Sequence, residues 1–165
     1  MGTVNFILIG KVLALLTMAN GAPVVGKRML GDNMAFPIDG GLILRDGEPL
    51  LGKSKTVRGI VLALVVTTML APLVGMEVTT GAIVSAEAMA GDLFSSFIKR
   101  RLRIPPSGMA IGLDQIPEAL LPALVARCVL PLTLLDITAI IFVFFIVELL
   151  FSRLLFALKI RDEPY

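Results

Sequence analysis

A chain of 165 residues, 56% of them hydrophobic and with a mean hydropathy of +0.91, is too apolar for a water-soluble domain and long enough for one compact unit. The absence of histidine excludes His-based triads, imidazole metal sites and histidine proton shuttles, and a single cysteine, Cys128, excludes an intrachain disulfide. The formal charge of +2 hides a segregation of cations into two stretches and the C-terminus.

Windows of about twenty residues predict five membrane spans, over residues 4–19, 59–76, 78–98, 116–132 and 137–158. The first is short, carries Lys11 and lacks the basic start of a secretory leader. The second has no charge, and the third contains Glu87 and Asp92. The fourth holds Pro117, Glu118 and Arg127, with Pro122 as an expected kink; the fifth holds Glu148 and Arg153. The expected fold class is an all-α integral membrane protein, with residues 1–165 as a single transmembrane domain.

Residues 20–58, rich in Gly, Pro and Asp, read as a long loop, of a length usually functional or disordered. Asp39-Gly40 and Asp46-Gly47 are turn signals, the second flanked by apolar runs that could pair as a hairpin. This loop carries Lys27, Arg28, Arg45, Lys53, Lys55 and Arg58. The loop 99–115 carries Lys99, Arg100, Arg101 and Arg103, and the C-terminus carries Lys159 and Arg161. The opposite connections, near Glu77 and over residues 132–136, have no Lys or Arg. The positive-inside rule then puts the N-terminus outside and both loops and the C-terminus in the cytoplasm.

The stretch Ala90 to Gln115 concentrates the chemistry. An ionised carboxylate in hydrocarbon normally faces a polar cavity or partner, so Asp92 is a candidate Mg²⁺ ligand; an acid reaching water or Lys99 is the plainer reading. Asp114 admits two roles, helix N-cap and second metal ligand. Ser95, Ser96 and Lys99 share a helical face with Asp92, and Pro105 and Pro106 end the helix. The cluster Lys99 to Arg103 suits anchoring to anionic headgroups and also neutralisation of phosphates. Gly47 to Ser54 fits the P-loop pattern letter for letter, but lacks the strand, helix and α/β domain that make it one. Glu87, Arg127 and Glu148 are intramembrane ionisable groups, with an Arg–Glu pair between helices as the structural reading for the last two. Gly81, Ala82, Ser85, Ala86, Ala88, Ala90 and Gly91 give the third span a small surface for close packing.

These residues resemble the CDP-archaeol synthase family, membrane CTP-transferases related to the bacterial CDP-diacylglycerol synthases. The resemblance runs over nearly the whole chain: Ala19-Asn20 with Pro23, then Asp39-Gly40-Gly41, Asp46-Gly47, Leu51-Gly52, Lys55-Thr56 and Arg58-Gly59, then Gly91-Asp92 with Ser95 to Arg101, then Leu113-Asp114-Gln115. The bacterial relatives carry further acids after the second Asp, where this chain has Ile116, Pro117 and Glu118, so those positions are not carried over.

The resemblance implies transfer of CMP from CTP to an unsaturated archaetidic acid, a diether lipid phosphate, giving CDP-archaeol and pyrophosphate. It implies Mg²⁺ on Asp92 and Asp114 and a catalytic Lys99. It implies nucleotide or phosphate contacts from Asn20, Asp39, Gly40, Gly52, Lys53, Lys55, Thr56, Arg58, Ser95, Ser96 and Arg100. CTP would arrive from the cytoplasm and the lipid from the inner leaflet of the cell membrane; no nucleic-acid partner is implied, and the oligomeric state stays open. A CTP-dependent polyprenol kinase is the chemical rival. A small ion- or proton-coupled carrier would use Glu87, Asp92 and Glu148 as a relay but leaves the glycine-rich loop without a purpose.

Overall fold

The computed structural model describes residues 4–105, 108 and 110–158. Pro106, Lys159 and Arg161, read above as a helix stop and as cytoplasmic cations, lie outside the described residues. The described residues form five α-helices: α1 (Phe6–Leu30), α2 (Val57–Leu70) with a 3₁₀ continuation at Ala71–Val74, α3 (Val78–Arg101), α4 (Gln115–Ala126) and α5 (Leu134–Ala157). Among the described residues β-structure is limited to two isolated bridges, Pro37 with Thr56 and Ile43 with Pro49. The second of these, with Leu44 N–H donating to Glu48 O at 2.9 Å and Leu50 N–H to Leu42 O at 2.8 Å, is the small hairpin signalled by Asp46-Gly47.

α3 packs against α4, α2 and α1, and α5 against α4 and α1. The core is aliphatic and small, with Val12, Leu15, Leu16, Ala19, Val84, Ala88, Ala119, Ala123 and Ile140 fully buried. Glycine lets the backbones meet. A Cβ on Gly81 would lie 2.6 Å from the Ala71 Cβ, and one on Gly91 would lie 2.4 Å from the Pro117 carbonyl oxygen. Such contacts are how helices associate where lipid removes most of the hydrophobic driving force.

Among the described residues three helical stretches, Phe6–Leu30, Val57–Val74 and Leu134–Leu154, are long and apolar enough to cross a membrane. α3 has the length, 24 residues, but its polar and small residues make it much less apolar. α4, with 12 residues, is about 18 Å long, shorter than the ~30 Å of hydrocarbon.

Two expectations need correction. Residues 20–30 are not loop: α1 runs through Asn20, Gly21 and Pro23 and ends at Gly31, whose φ of +55° suits glycine. Pro23 removes one helical N–H, yet the apolar residues beyond it resume the helix, because backbone groups in an apolar setting gain more from internal bonds than from exposure. At the other end, the fourth helix stops at Ala126 rather than near 132. Cys128 and Val129 donate to carbonyls three residues back, a tightened turn that Pro131 prevents from reverting to α-helix.

One buried acid fixes the end of the bundle away from the loops. Asp136 forms a capping box with Thr133 and accepts the Asn5 N–H at 2.9 Å, while the Asn5 side chain caps α1 through Leu8 N–H. The starts of α1 and α5 therefore meet there. The ends of α1, α3 and α5 and the starts of α2 and α4 lie at the opposite end.

Candidate active site

At that opposite end the helices and residues 31–56 enclose a cavity of about 510 Å³, within the range of small-molecule sites. α3 supplies Asp92, Ser96, Lys99 and Arg100; α4 supplies Gln115 and Glu118, with Asp114 just before it. The loop supplies Lys53, Ser54, Lys55 and Thr56, and α1 and α2 supply Asn20, Lys27 and Arg58. A recess of about 50 Å³ between α1 and α5 adjoins it and shares Asn20, Val24, Glu148 and Ser152.

Charge in the cavity is paired across elements. Lys55 Nζ lies 2.5 Å from Asp92 Oδ1, joining loop to α3. Lys99 Nζ lies 2.7 Å from Asp114 Oδ1 and donates to the Gly108 carbonyl at 3.0 Å. Burial acts to lower the Lys55 ammonium, but the negative charge of Asp92 and Glu118 outweighs it and holds the group above the ordinary lysine value. Arg100 is 2% exposed and donates one Nη2 bond to the Pro105 carbonyl, while its Nε and Nη1 are buried without a partner. An unmatched buried guanidinium edge is costly unless an anion completes it. Asn20 Nδ2 is buried and unmatched in the same cavity.

The loop is ordered around Asp39. Its carboxylate accepts N–H bonds from Gly41 at 3.0 Å, Leu51 at 2.8 Å and Gly52 at 3.0 Å. Partial burial raises this carboxyl, but those donations outweigh it and hold it below the ordinary carboxylate value. Gly52, at φ +96°, makes the turn that sends Lys53 to Lys55 inwards. Thr56 then caps α2, its hydroxyl accepting Gly59 N–H at 3.1 Å, so the positive end of α2 faces the cavity.

The structure thus gathers Asn20, Lys53, Lys55, Thr56, Arg58, Asp92, Ser96, Lys99, Arg100 and Asp114 around one space. It places Asp39, Gly40, Gly52 and Ser95 outside the lining; Ser95 Oγ donates back to the Gly91 carbonyl. Arg58 lines the cavity, but its Nη1 also binds the carbonyls of Gly31 and Asn33. Asp114 stands at the N-cap position of α4 without a side-chain cap bond; its second oxygen accepts Ala110 N–H instead. Arg127 is exposed at the far end of α4 whereas Glu148 faces the cavity, so the two form no interhelical pair. Nothing follows Lys53-Ser54 in P-loop fashion, since α2 begins at Val57.

Sequence reasoning missed Glu118. It is buried and lines the cavity together with Asp92. The signal was its spacing: four residues after Asp114 is one helical turn on the same face.

The CarS-like family model, described as CDP-archaeol synthase, matches residues 73–165. Relatives named CDP-archaeol synthase include one from Thermofilum pendens, 33% identical over 157 residues, covering 90% of this chain and 76% of the relative. The relative from Sulfurisphaera tokodaii is 33% identical over 136 residues, covering 78% and 81%. The one from Pyrococcus furiosus is 38% identical over 107 residues, 59% of this chain and 60% of the relative. A solved structure described as an intramembrane enzyme for archaeal membrane lipids biosynthesis superposes with a TM-score of 0.74 at 27% identity, covering 88% of this chain and 94% of that one. With a family model spanning more than half its length and relatives covered over three quarters of theirs, the chain belongs to the CDP-archaeol synthase family.

Proposed function

We propose that this membrane protein transfers CMP from CTP to a diether lipid phosphate, forming CDP-archaeol and releasing pyrophosphate. The observation that carries the reading is the cavity itself: acids and cations from five helices and a loop converge there, and Arg100 presents two unpartnered buried guanidinium nitrogens. In the reaction a phosphate oxygen of the lipid forms a bond to the α-phosphorus of CTP, and the bond from that phosphorus to the β-bridging oxygen breaks. The nucleophile is already ionised near neutral pH, so the protein's task is alignment and charge neutralisation rather than proton removal. Arg100, Lys99, Lys55 and Lys53 bind phosphate oxygens, and the N-terminus of α2 adds its positive end.

Mg²⁺ fits the donor set. Asp92 and Asp114 offer hard carboxylate oxygens from neighbouring elements, and the cavity has room for waters and phosphates beside them. Among the described residues no three His, Cys, Asp or Glu side chains converge as a complete cage, which suits a cation that relies on substrate oxygens for much of its shell. Bound there, its contribution is to offset the charge gathering on the departing pyrophosphate.

The chain crosses the membrane five times, with the N-terminus outside, the cavity at the cytoplasmic face and the lipid arriving from that leaflet. The meeting of the α1 and α5 starts at Asp136, opposite the cavity, supports an odd number of crossings, and the cations gathered at the cavity end support its placement at the cytoplasmic face. The test is pyrophosphate release by purified protein in detergent, with CTP, Mg²⁺ and a diether lipid phosphate, with and without EDTA. Lipid-dependent, EDTA-sensitive release with a CDP-lipid product is expected. Release of CDP with a newly phosphorylated lipid would overturn the reading in favour of a kinase.

A further inference from the structure

We propose that Arg101, outside the cavity, is a positioning residue that braces the nucleotide loop and so sets where Lys53 and Lys55 stand. The inference rests on the cytidylyl-transfer reading above.

The four cations at the end of α3 have separate tasks. Lys99 and Arg100 line the cavity, Arg103 is exposed, and Arg101 turns the other way, onto the hairpin of residues 42–50. Its Nη2 donates to the Pro49 carbonyl at 2.6 Å and to the Glu48 carbonyl at 3.4 Å, and Nη1 lies 3.2 Å from Asp46 Oδ2. The guanidinium also stacks over the Phe97 ring, 5.2 Å from its centroid. A cation serving only to hold headgroups has no reason to spend its donors on backbone carbonyls more than fifty residues away. The fork geometry of arginine makes these contacts together, which a lysine ammonium cannot.

The brace has a short route to the site. Pro49 precedes Lys53 by four residues. Between them, Leu50 N–H bonds the Leu42 carbonyl, and Leu51 and Gly52 donate to Asp39, so little slack is left. Lys55 N–H then bonds the Gly52 carbonyl at 3.2 Å, its carbonyl accepts Ile38 N–H at 2.9 Å, and its ammonium meets Asp92. A hairpin released from α3 would move this whole rim, and two of its lysines are phosphate ligands in the proposed reaction.

The test compares Arg101→Lys, Arg101→Gln and Asp46→Asn in the full chain. Both Arg101 variants are expected to raise KM for CTP about tenfold, the effect of losing one or two charge-assisted bonds, with kcat within about threefold. Asp46→Asn, which keeps the carbonyl contacts, should raise it by only about threefold. Trypsin should cut wild-type protein slowly after Arg45 and Lys53, and both Arg101 variants about tenfold faster. A wild-type KM and cleavage rate in Arg101→Lys would overturn the brace, because positive charge alone would then suffice. Loss of kcat with an unchanged KM would also overturn it. The cleavage assay needs no turnover: if wild-type protein releases no pyrophosphate from CTP, the function reading fails, and the cleavage ratio still decides whether Arg101 holds the loop.

Discussion

Replacing Gly91 by alanine adds one methyl group where α3 and α4 touch. The new Cβ would stand 2.4 Å from the Pro117 oxygen, 2.6 Å from its carbonyl carbon and 2.8 Å from Glu118 N. All three are backbone atoms, so no rotamer change relieves the contact. Restoring an ordinary separation of 3.4 Å requires the first turn of α4 to retreat by about 1 Å. Overpacking of this kind costs about 1–3 kcal/mol, and the better helix propensity of alanine returns about 1 kcal/mol, leaving a net loss of roughly 0–2 kcal/mol. Activity should suffer more. Asp114 and Glu118 travel with α4 while Asp92 stays on α3, and a 1 Å misplacement costs on the order of 100-fold in rate. The assay is kcat for pyrophosphate release beside the thermal midpoint in the same detergent. Gly10→Ala is the control, since a Cβ there meets nothing within 4 Å. Activity within twofold of wild type for Gly91→Ala would refute the view that this contact sets the spacing of the acids.

Asp92→Asn and Asp114→Asn should each lower turnover by at least about 100-fold, and each should also lower the thermal midpoint, since Asn keeps the size but leaves Lys55 or Lys99 without its charge partner; near-normal turnover in either would remove that acid from the site. The Asp39 carboxyl is held below its ordinary value in the fold, so its contribution is complete above the unfolded value and is lost as pH falls through the depressed one. Protection of the Leu51 and Gly52 amides against hydrogen exchange, taken relative to a free amide at the same pH, should therefore be high at neutral pH and fall under strongly acidic conditions, and Asp39→Asn should abolish that dependence. Cys128, the single cysteine, is exposed just beyond α4, at the end opposite the cavity. A membrane-impermeant maleimide should label it from outside intact cells; labelling only after lysis would invert the topology.

The sequence was most legible where composition alone decides. Uncharged or nearly uncharged runs announced α2 and α5, and Asp46-Gly47 announced the hairpin. The errors share a cause: signals learned in water were applied to an apolar setting. Asn20-Gly21-Ala22-Pro23 looks like a helix stop, yet α1 continues through it, because unsatisfied backbone is costlier there than a kink. The apolar letters of residues 127–132 looked like span, whereas the chain turns ahead of Pro131. In the site, the pairs Lys55 with Asp92 and Lys99 with Asp114 join residues whose types were suggestive but whose partners only tertiary structure could name. Asp39 is the instructive case. As a loop acid it looked like a ligand reader, but its oxygens accept three backbone N–H groups; the bond from Gly41 is the local turn that Asp39-Gly40 signals, whereas those from Leu51 and Gly52 are long-range and no local pattern encodes them.

The thinness of protein-to-protein burial in the apolar helices has a consequence for any measurement of stability. Only 22% of the residues in the membrane-length window of Val57–Val74, and the same share in Leu134–Leu154, are buried within the protein. Large side chains on both, among them Val61, Met69, Phe142 and Leu150, face the surrounding amphiphile in the native arrangement and after the helices part. Heating a micellar sample therefore separates helices more readily than it uncoils them, because internal backbone bonds persist wherever water is excluded. Far-ultraviolet dichroism should change little across a transition that abolishes turnover. A midpoint quoted for this protein belongs to the pair it forms with its detergent, and will shift when the chain length of that detergent does.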